Sequence, residues 1–259
     1  MGDLLRRAVL VLGLPVLLVA TWWFTTVNST SFFWPPLREI LAAFADTWFS
    51  GRITADVLPS LVRLLIGYLL ALLLGIGIGT AIGLSSTLRS VVEPVLEFFR
   101  AVPPPVLVPV IMLFAGIGDV MKVLVIVSGC VWAVLLNTVE GVRGIDEVLR
   151  DTARCYRLGA RSTLLHLVLR GASPQIATGA RQALSIGIIL MVISEMFAAS
   201  NGLGFTIVQF QRSFAIPEMW SGIILLGLIG VGLAGIFHLV ERRALGWYHG
   251  LRTTERGER

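Results

Sequence analysis

The sequence predicts an all-α polytopic membrane protein with about six transmembrane helices, and three observations predict it. Of 259 residues, 56% are hydrophobic, and the mean hydropathy is +0.85. Only 14% are charged, where a soluble domain carries about 25%, so too little charge remains to cover a water-facing surface. Several apolar runs approach the ~20 residues that cross a bilayer as a helix. The expected crossings lie near 8–27, 64–84, 101–118, 120–139, 176–199 and 219–240, within one transmembrane domain over 1–259.

The first run, 8–27, is too long for a secretory signal and ends in aromatics rather than at a small-residue cleavage site, so it is expected to be a retained span. An external amphipathic segment, 28–60, follows. In "FWPPLREILAAFADTWFSG", Leu37, Ile40, Leu41, Phe44 and Trp48 recur at helical spacing, Pro36 suits the first turn and Gly51 the stop. In the second span, Ala71, Gly75, Gly79 and Gly83 recur every fourth residue, which lets another helix approach closely. The third, "AVPPPVLVPVIMLF", carries Pro103, Pro104, Pro105 and Pro109, each removing a backbone donor. An interrupted helix survives in lipid only where protein or a water-filled cavity covers the freed groups. Pro103, Pro104 and Pro109 are therefore candidates either for a kink or for a path-lining element. Glu195, in "MVISEMF", is an intramembrane carboxylate near the end of the fifth span and a candidate for path lining or for capping interfacial groups.

Loop charges set the orientation. With both termini in the cytoplasm, the inner segments hold Arg6, Arg7, Arg89, Arg143, Arg150, Arg154, Arg157, Arg161, Arg170, Arg242, Arg243, Arg252, Arg256 and Arg259, against Arg38, Arg52, Lys122 and Arg212 outside. That excess on one side is the positive-inside pattern. Net charge +5 then reflects contact with anionic lipid rather than nucleic acid.

Several chemistries are excluded. A phosphate-cradling G-x-x-x-x-G-K-[ST] loop needs a lysine at its end, and the chain's one lysine, Lys122, sits in "GDVMKVLVI". No nucleophile elbow or paired catalytic carboxylates occur. The histidines His166, His238 and His249 lack metal-ligand spacing, and Cys130 and Cys155 fall in different environments. Transport by this chain therefore needs an energy source in a partner.

The segment 140–174 is the most basic. "GIDEVLRDTARCYRLGARSTLLHLVLRGASPQIATG" reads as helix, turn, helix. Asp146 can cap the first helix and pair, like Glu147, with Arg150. Gly159 is expected to supply a left-handed turn, Ser162 to start the second helix, and Pro174 to end the unit.

This loop resembles the cytoplasmic EAA loop of binding-protein-dependent ABC importer permeases, whose pattern is E-A-A, three residues, G-A and later L-P. Aligned on Gly159 and Ala160, the E-A-A positions hold Ala153, Arg154 and Cys155, and the L-P position holds Leu169 and Arg170. "LPSLVRLLIGYLLALLLGIGIGTAIGL", "LLNTVEGVRGID" and "NGLGFTIVQFQRSFAIPEMWSGIILLGLIG" are similar to the nitrate/sulfonate/taurine branch, which also includes permeases for pyrimidine-type vitamin precursors. The resemblance implies a type I ABC importer permease fold in a prokaryotic plasma or inner membrane. It implies cytoplasmic ATPase subunits that hold the ATP and Mg, a second permease subunit (identical or not) and an extracytoplasmic solute-binding protein, with no cofactor and no catalysis in this chain. It assigns ATPase coupling to Asp151, Ala153, Arg154, Tyr156, Leu158, Gly159, Ala160 and Arg161. The rival reading is a membrane scaffold or secondary carrier acting alone.

Overall fold

The computed structural model describes residues 2–197 and 199–248, with side chains from residue 13 onward. His249, Arg252, Arg256 and Arg259 lie outside the described residues, as do the side chains of Arg6 and Arg7. The elements are α1 (Gly2–Thr26), α2 (Leu37–Thr47), α3 (Leu58–Leu84), α4 (Ser86–Ala101), α5 (Val108–Ala115), α6 (Asp119–Arg143), α7 (Glu147–Cys155), α8 (Ala160–Met196), α9 (Leu203–Arg212) and α10 (Ile216–Ala244). No strand occurs among the described residues. Among the described residues, four stretches are long and apolar enough to cross a membrane: the one ending with α3, α6, α8 and α10; α4 with α5 makes a fifth.

α6 is the centre, packed between α3 and α8. The small-residue stripe of α3 faces it. A Cβ on Gly75 would stand 2.7 Å from Val134 Cβ, and one on Gly79 2.8 Å from the Leu135 carbonyl oxygen. The stripe thus serves packing inside one subunit, and Ala71 between the two helices is fully buried. Leu64, Val125, Ile126, Cys130, Val134, Ala183, Leu190 and Met191 complete this core.

α2 follows its predicted pattern only in part. Leu37, Ile40 and Trp48 are buried, the helix packs on α10, and Leu41 is 52% exposed. Trp48 Nε1 donates to Ser221 Oγ at 3.1 Å. Gly51, at φ 96, breaks the helical run as expected, after which the chain turns into α3.

The third span is not one helix. α4 reaches Ala101, the chain bends by 88°, and Pro104–Ala115 runs on at that angle. The cause is local. A residue before a proline is biased toward an extended backbone, and Val102 (ψ 117) and Pro103 (ψ 123) are both extended. Pro104 then opens a short 3-10 turn and Pro109 lies in the first turn of α5, where a missing N–H costs nothing. The bend packs against Gly129, midway along α6.

Pro174 does not end the hairpin unit either. α8 runs unbroken through it to Met196. The proline leaves the Arg170 carbonyl without its helical donor, and Ser173 Oγ supplies one at 2.7 Å. A wide π turn over Thr163–Val168 lies just upstream.

Candidate coupling hairpin and buried charge cluster

α7 begins at Asp146, whose carboxylate accepts from the Val148 N–H at 2.9 Å, the expected cap. The predicted pairs to Arg150 do not form; its guanidinium instead donates to the Val142 carbonyl, tying the hairpin to the end of α6. Arg154 pairs with Asp151 at 3.0 Å.

The turn after α7 differs from expectation. Leu158 N–H donates to the Ala153 carbonyl at 3.0 Å and Arg157 N–H to the Arg154 carbonyl at 2.9 Å. That is a Schellman closure, which places the left-handed residue one position beyond the cap. The residue there is Arg157, at φ 50. Gly159 is extended (φ −62, ψ 150), a conformation open to any residue, and a Cβ on it would meet nothing within 4 Å. It caps α8, which starts at Ala160 rather than at Ser162.

The residues assigned to coupling therefore sit together on one projecting turn. Ala153 is buried beneath it, while Asp151, Arg154, Tyr156, Leu158, Gly159, Ala160 and Arg161 are exposed. Tyr156 is 78% exposed, an unusual place for a large ring. A groove of about 200 Å³ runs under the turn between Leu84, Arg150, Ala153, Arg154, Leu158, Thr163, Leu167 and Val168.

Glu195 lies elsewhere, near the opposite end of α8. It is fully buried, and its carboxylate accepts from Ser60 Oγ (2.7 Å), Arg63 Nη1 (2.8 Å) and the Gly204 N–H (3.0 Å). Arg63 also pairs with Asp119 at 2.8 Å and donates to Asn201 Oδ1 at 2.7 Å. Lys122, also buried, approaches Asp119 at 3.6 Å. Asp56 accepts from the Gly202 N–H at 3.3 Å. The cluster thus ties α3, α6 and α8 to the segment 201–202. Gly202 stands at φ 121, and a Cβ there would lie 2.5 Å from the Glu195 carboxyl carbon, so only glycine fits.

The sequence offered Glu195 but missed Arg63, Lys122, Asp56 and Asn201. Its one signal was an arginine and a lysine embedded in apolar runs, which are placed there only with partners. Pro103, Pro104 and Pro109 belong to a third place, the mid-span bend. Two further basic residues carry partners: Arg100 pairs with Glu97 at 3.1 Å and Arg181 with Glu241.

Comparisons with known proteins agree with this architecture. The profile of the family described as "Binding-protein-dependent transport system inner membrane component" matches residues 67–246. The taurine transport system permease protein TauC of Escherichia coli strain K12 is 29% identical, over 95% of this chain and 92% of its own. SsuC of the same strain, assigned to aliphatic sulfonate transport, is 31% identical over 91% and 92%. The nitrate import permease protein NrtB of Synechococcus elongatus is 28% identical over 81% and 74%. Among solved structures, a chain of the MetNI methionine ABC transporter in an inward-facing conformation superposes with TM-score 0.64 at 17% identity, covering 76% of this chain and 97% of that one. At that identity the likeness speaks for the fold alone.

Proposed function

The chain belongs to the family of binding-protein-dependent transport system inner membrane components and is the permease subunit of an ABC importer; on that premise we propose that its cargo is a small solute bearing a sulfonate or nitrate oxyanion. The names of the similar permeases support this cargo. The observation that carries the coupling mechanism is the projecting turn between α7 and α8, with Arg154, Tyr156 and Leu158 exposed at its tip. A side chain as large as Tyr156, held on a closed turn, suits a groove on a cytoplasmic protein. That protein is the ATPase, because this chain has no phosphate-cradling loop. ATP and Mg bind there, and this chain performs no hydrolysis.

Both termini face the cytoplasm, a reading that the arginine distribution supports. A second permease subunit completes the path, and an external binding protein delivers the solute. Motion of the ATPases is passed to the hairpin, and because α8 is continuous from the turn to Met196, the hairpin and the fifth span move together.

The test is reconstitution in lipid. The isolated chain should hydrolyse no ATP; with its ATPase, hydrolysis should rise on adding the binding protein loaded with an alkanesulfonate, taurine or nitrate. Saturable hydrolysis by the chain alone, or a complex indifferent to all three loaded forms, refutes the proposal.

A further inference from the structure

An anion carrier would be expected to offer a bare arginine along its path, yet Arg100 and Arg181 are both taken by carboxylates. A different set of donors is present. On α8, Gln175, Thr178, Gln182 and Ser185 are all exposed, and their spacing of three and four residues places them in one stripe, continued outward by Ile189. The buried residues Gly179, Ala183, Gly187 and Leu190 lie on the other side. Uncharged polar groups are not left facing lipid in the middle of a span; they face protein or a water-filled cavity.

One pair in this stripe has a fixed orientation. Asn137, half-buried on α6, donates from Nδ2 to the Ala133 carbonyl at 2.8 Å and to Gln182 Oε1 at 3.2 Å. A carbonyl oxygen can only accept, so the Asn137 amide is not free to flip. With one N–H engaged there, its second N–H can meet only an acceptor, which sets Oε1 of Gln182 toward Asn137. Gln182 Nε2 is thereby turned away from α6, and its two N–H groups have no partner among the described residues. Ser185 places a hydroxyl about one turn further along the same face.

We propose that Gln182, oriented by Asn137, lines the solute path and reads the transported oxyanion through its outward amide N–H groups, assisted by the Ser185 hydroxyl. Neutral donors suit a carrier, because they recognise sulfonate or nitrate oxygens without the tight ion pair that would hold the solute in place. The assignment rests on the oxyanion cargo proposed above.

The experiment uses the full chain assembled with its ATPase in proteoliposomes, with alkanesulfonate, taurine and nitrate each delivered by the binding protein. Gln182→Glu is isosteric but replaces the donors with acceptors. Asn137→Asp leaves residue 182 intact but can no longer donate to it, so the Gln182 amide turns over. Each should lower uptake about tenfold or more, as expected for losing hydrogen bonds to a charged group, while membrane level and co-purification of the ATPase stay within about twofold. A parallel loss of membrane level or of the ATPase, or unchanged uptake in Gln182→Glu, overturns the role of Gln182 while leaving the cargo reading intact. Wild-type complex that imports none of the three anions overturns the oxyanion, and the cargo reading with it. Gln182→Cys in a Cys155→Ser background gives a second readout that does not depend on the activity of the charged variant. In the water path this thiol reacts with a polar maleimide, and a lipid-facing, unreactive thiol overturns the proposal.

Discussion

Arg63 and Glu195 are 132 positions apart in the chain, yet Nη1 and Oε1 meet at 2.8 Å in a site from which both side chains are almost wholly shielded. Neither charge could be held there alone, since the desolvation of an isolated buried ion costs several kcal/mol. The pair, with Asp119, Lys122 and Asn201 around it, fixes the C-terminal end of α8 against α3 and α6.

Glu195→Ala leaves Arg63 buried with Asp119 as its remaining carboxylate partner. Breaking a buried pair from one side costs about 3–5 kcal/mol. The variant should therefore melt well below wild type in detergent and accumulate poorly in membranes. Arg63→Met combined with Glu195→Met should recover part of that loss. Equal melting of Glu195→Ala and wild type would show that the cluster does not hold the helices.

Gly202→Ala places a methyl group on the Glu195 carboxylate and forces alanine to φ 121, so it should be as damaging as Glu195→Ala although it removes no charge. Melting temperatures of the two variants side by side check this.

At the hairpin, Gly159→Ala should leave ATPase co-purification and membrane level unchanged, because its backbone is extended and the added methyl enters open space. Arg157→Val should weaken co-purification, since a left-handed backbone costs a non-glycine residue about 1–2 kcal/mol and β-branching adds to it. Arg157→Gly relieves that strain and should retain the turn. The reverse ranking, with position 159 sensitive and 157 indifferent, would contradict the Schellman register.

The native thiols report topology without any substitution. Cys155 is exposed on the hairpin and Cys130 is buried. An impermeant maleimide should label the chain in inside-out vesicles and spare it in intact cells. Labelling in intact cells reverses the assigned orientation.

The parts legible in the sequence are those fixed by neighbours. The α3 stripe, the Asp146 cap and the Gly51 break each depend on residues within a turn or two. The misreadings share a cause. Gly159 looked like the left-handed residue because it is the one glycine in the turn, but the position is set by where α7 frays, and that puts Arg157 there. Pro174 looked like a terminator, but a neighbouring serine hydroxyl replaces the donor it lacks. The prolines of the third span pointed to an interruption, but hydropathy does not register that the chain turns there by 88°. Glu195 was visible as a lone carboxylate; its partner, and the pairing of Asn137 with Gln182, were not, because pairings across 132 and 45 residues appear only when the helices are laid together.

The unbroken course of α8 makes it a lever. Its 37 residues measure about 55 Å, nearly twice the thickness of the hydrocarbon layer. The hairpin turn sits at one tip and the clamp of Arg63 on Glu195 at the other, so that clamp acts as the fulcrum. On the proposed coupling, a push on the turn swings the half of the helix nearer to it sideways, and Gln182, part-way along the arm, travels less than Tyr156 but in the same direction. The soft points of the arm, the π turn at Thr163–Val168 and Pro174, both lie on the driven side of Gln182. Torque lost to bending is therefore lost before it reaches the solute, and stiffening that stretch should tighten the gearing between the two ends.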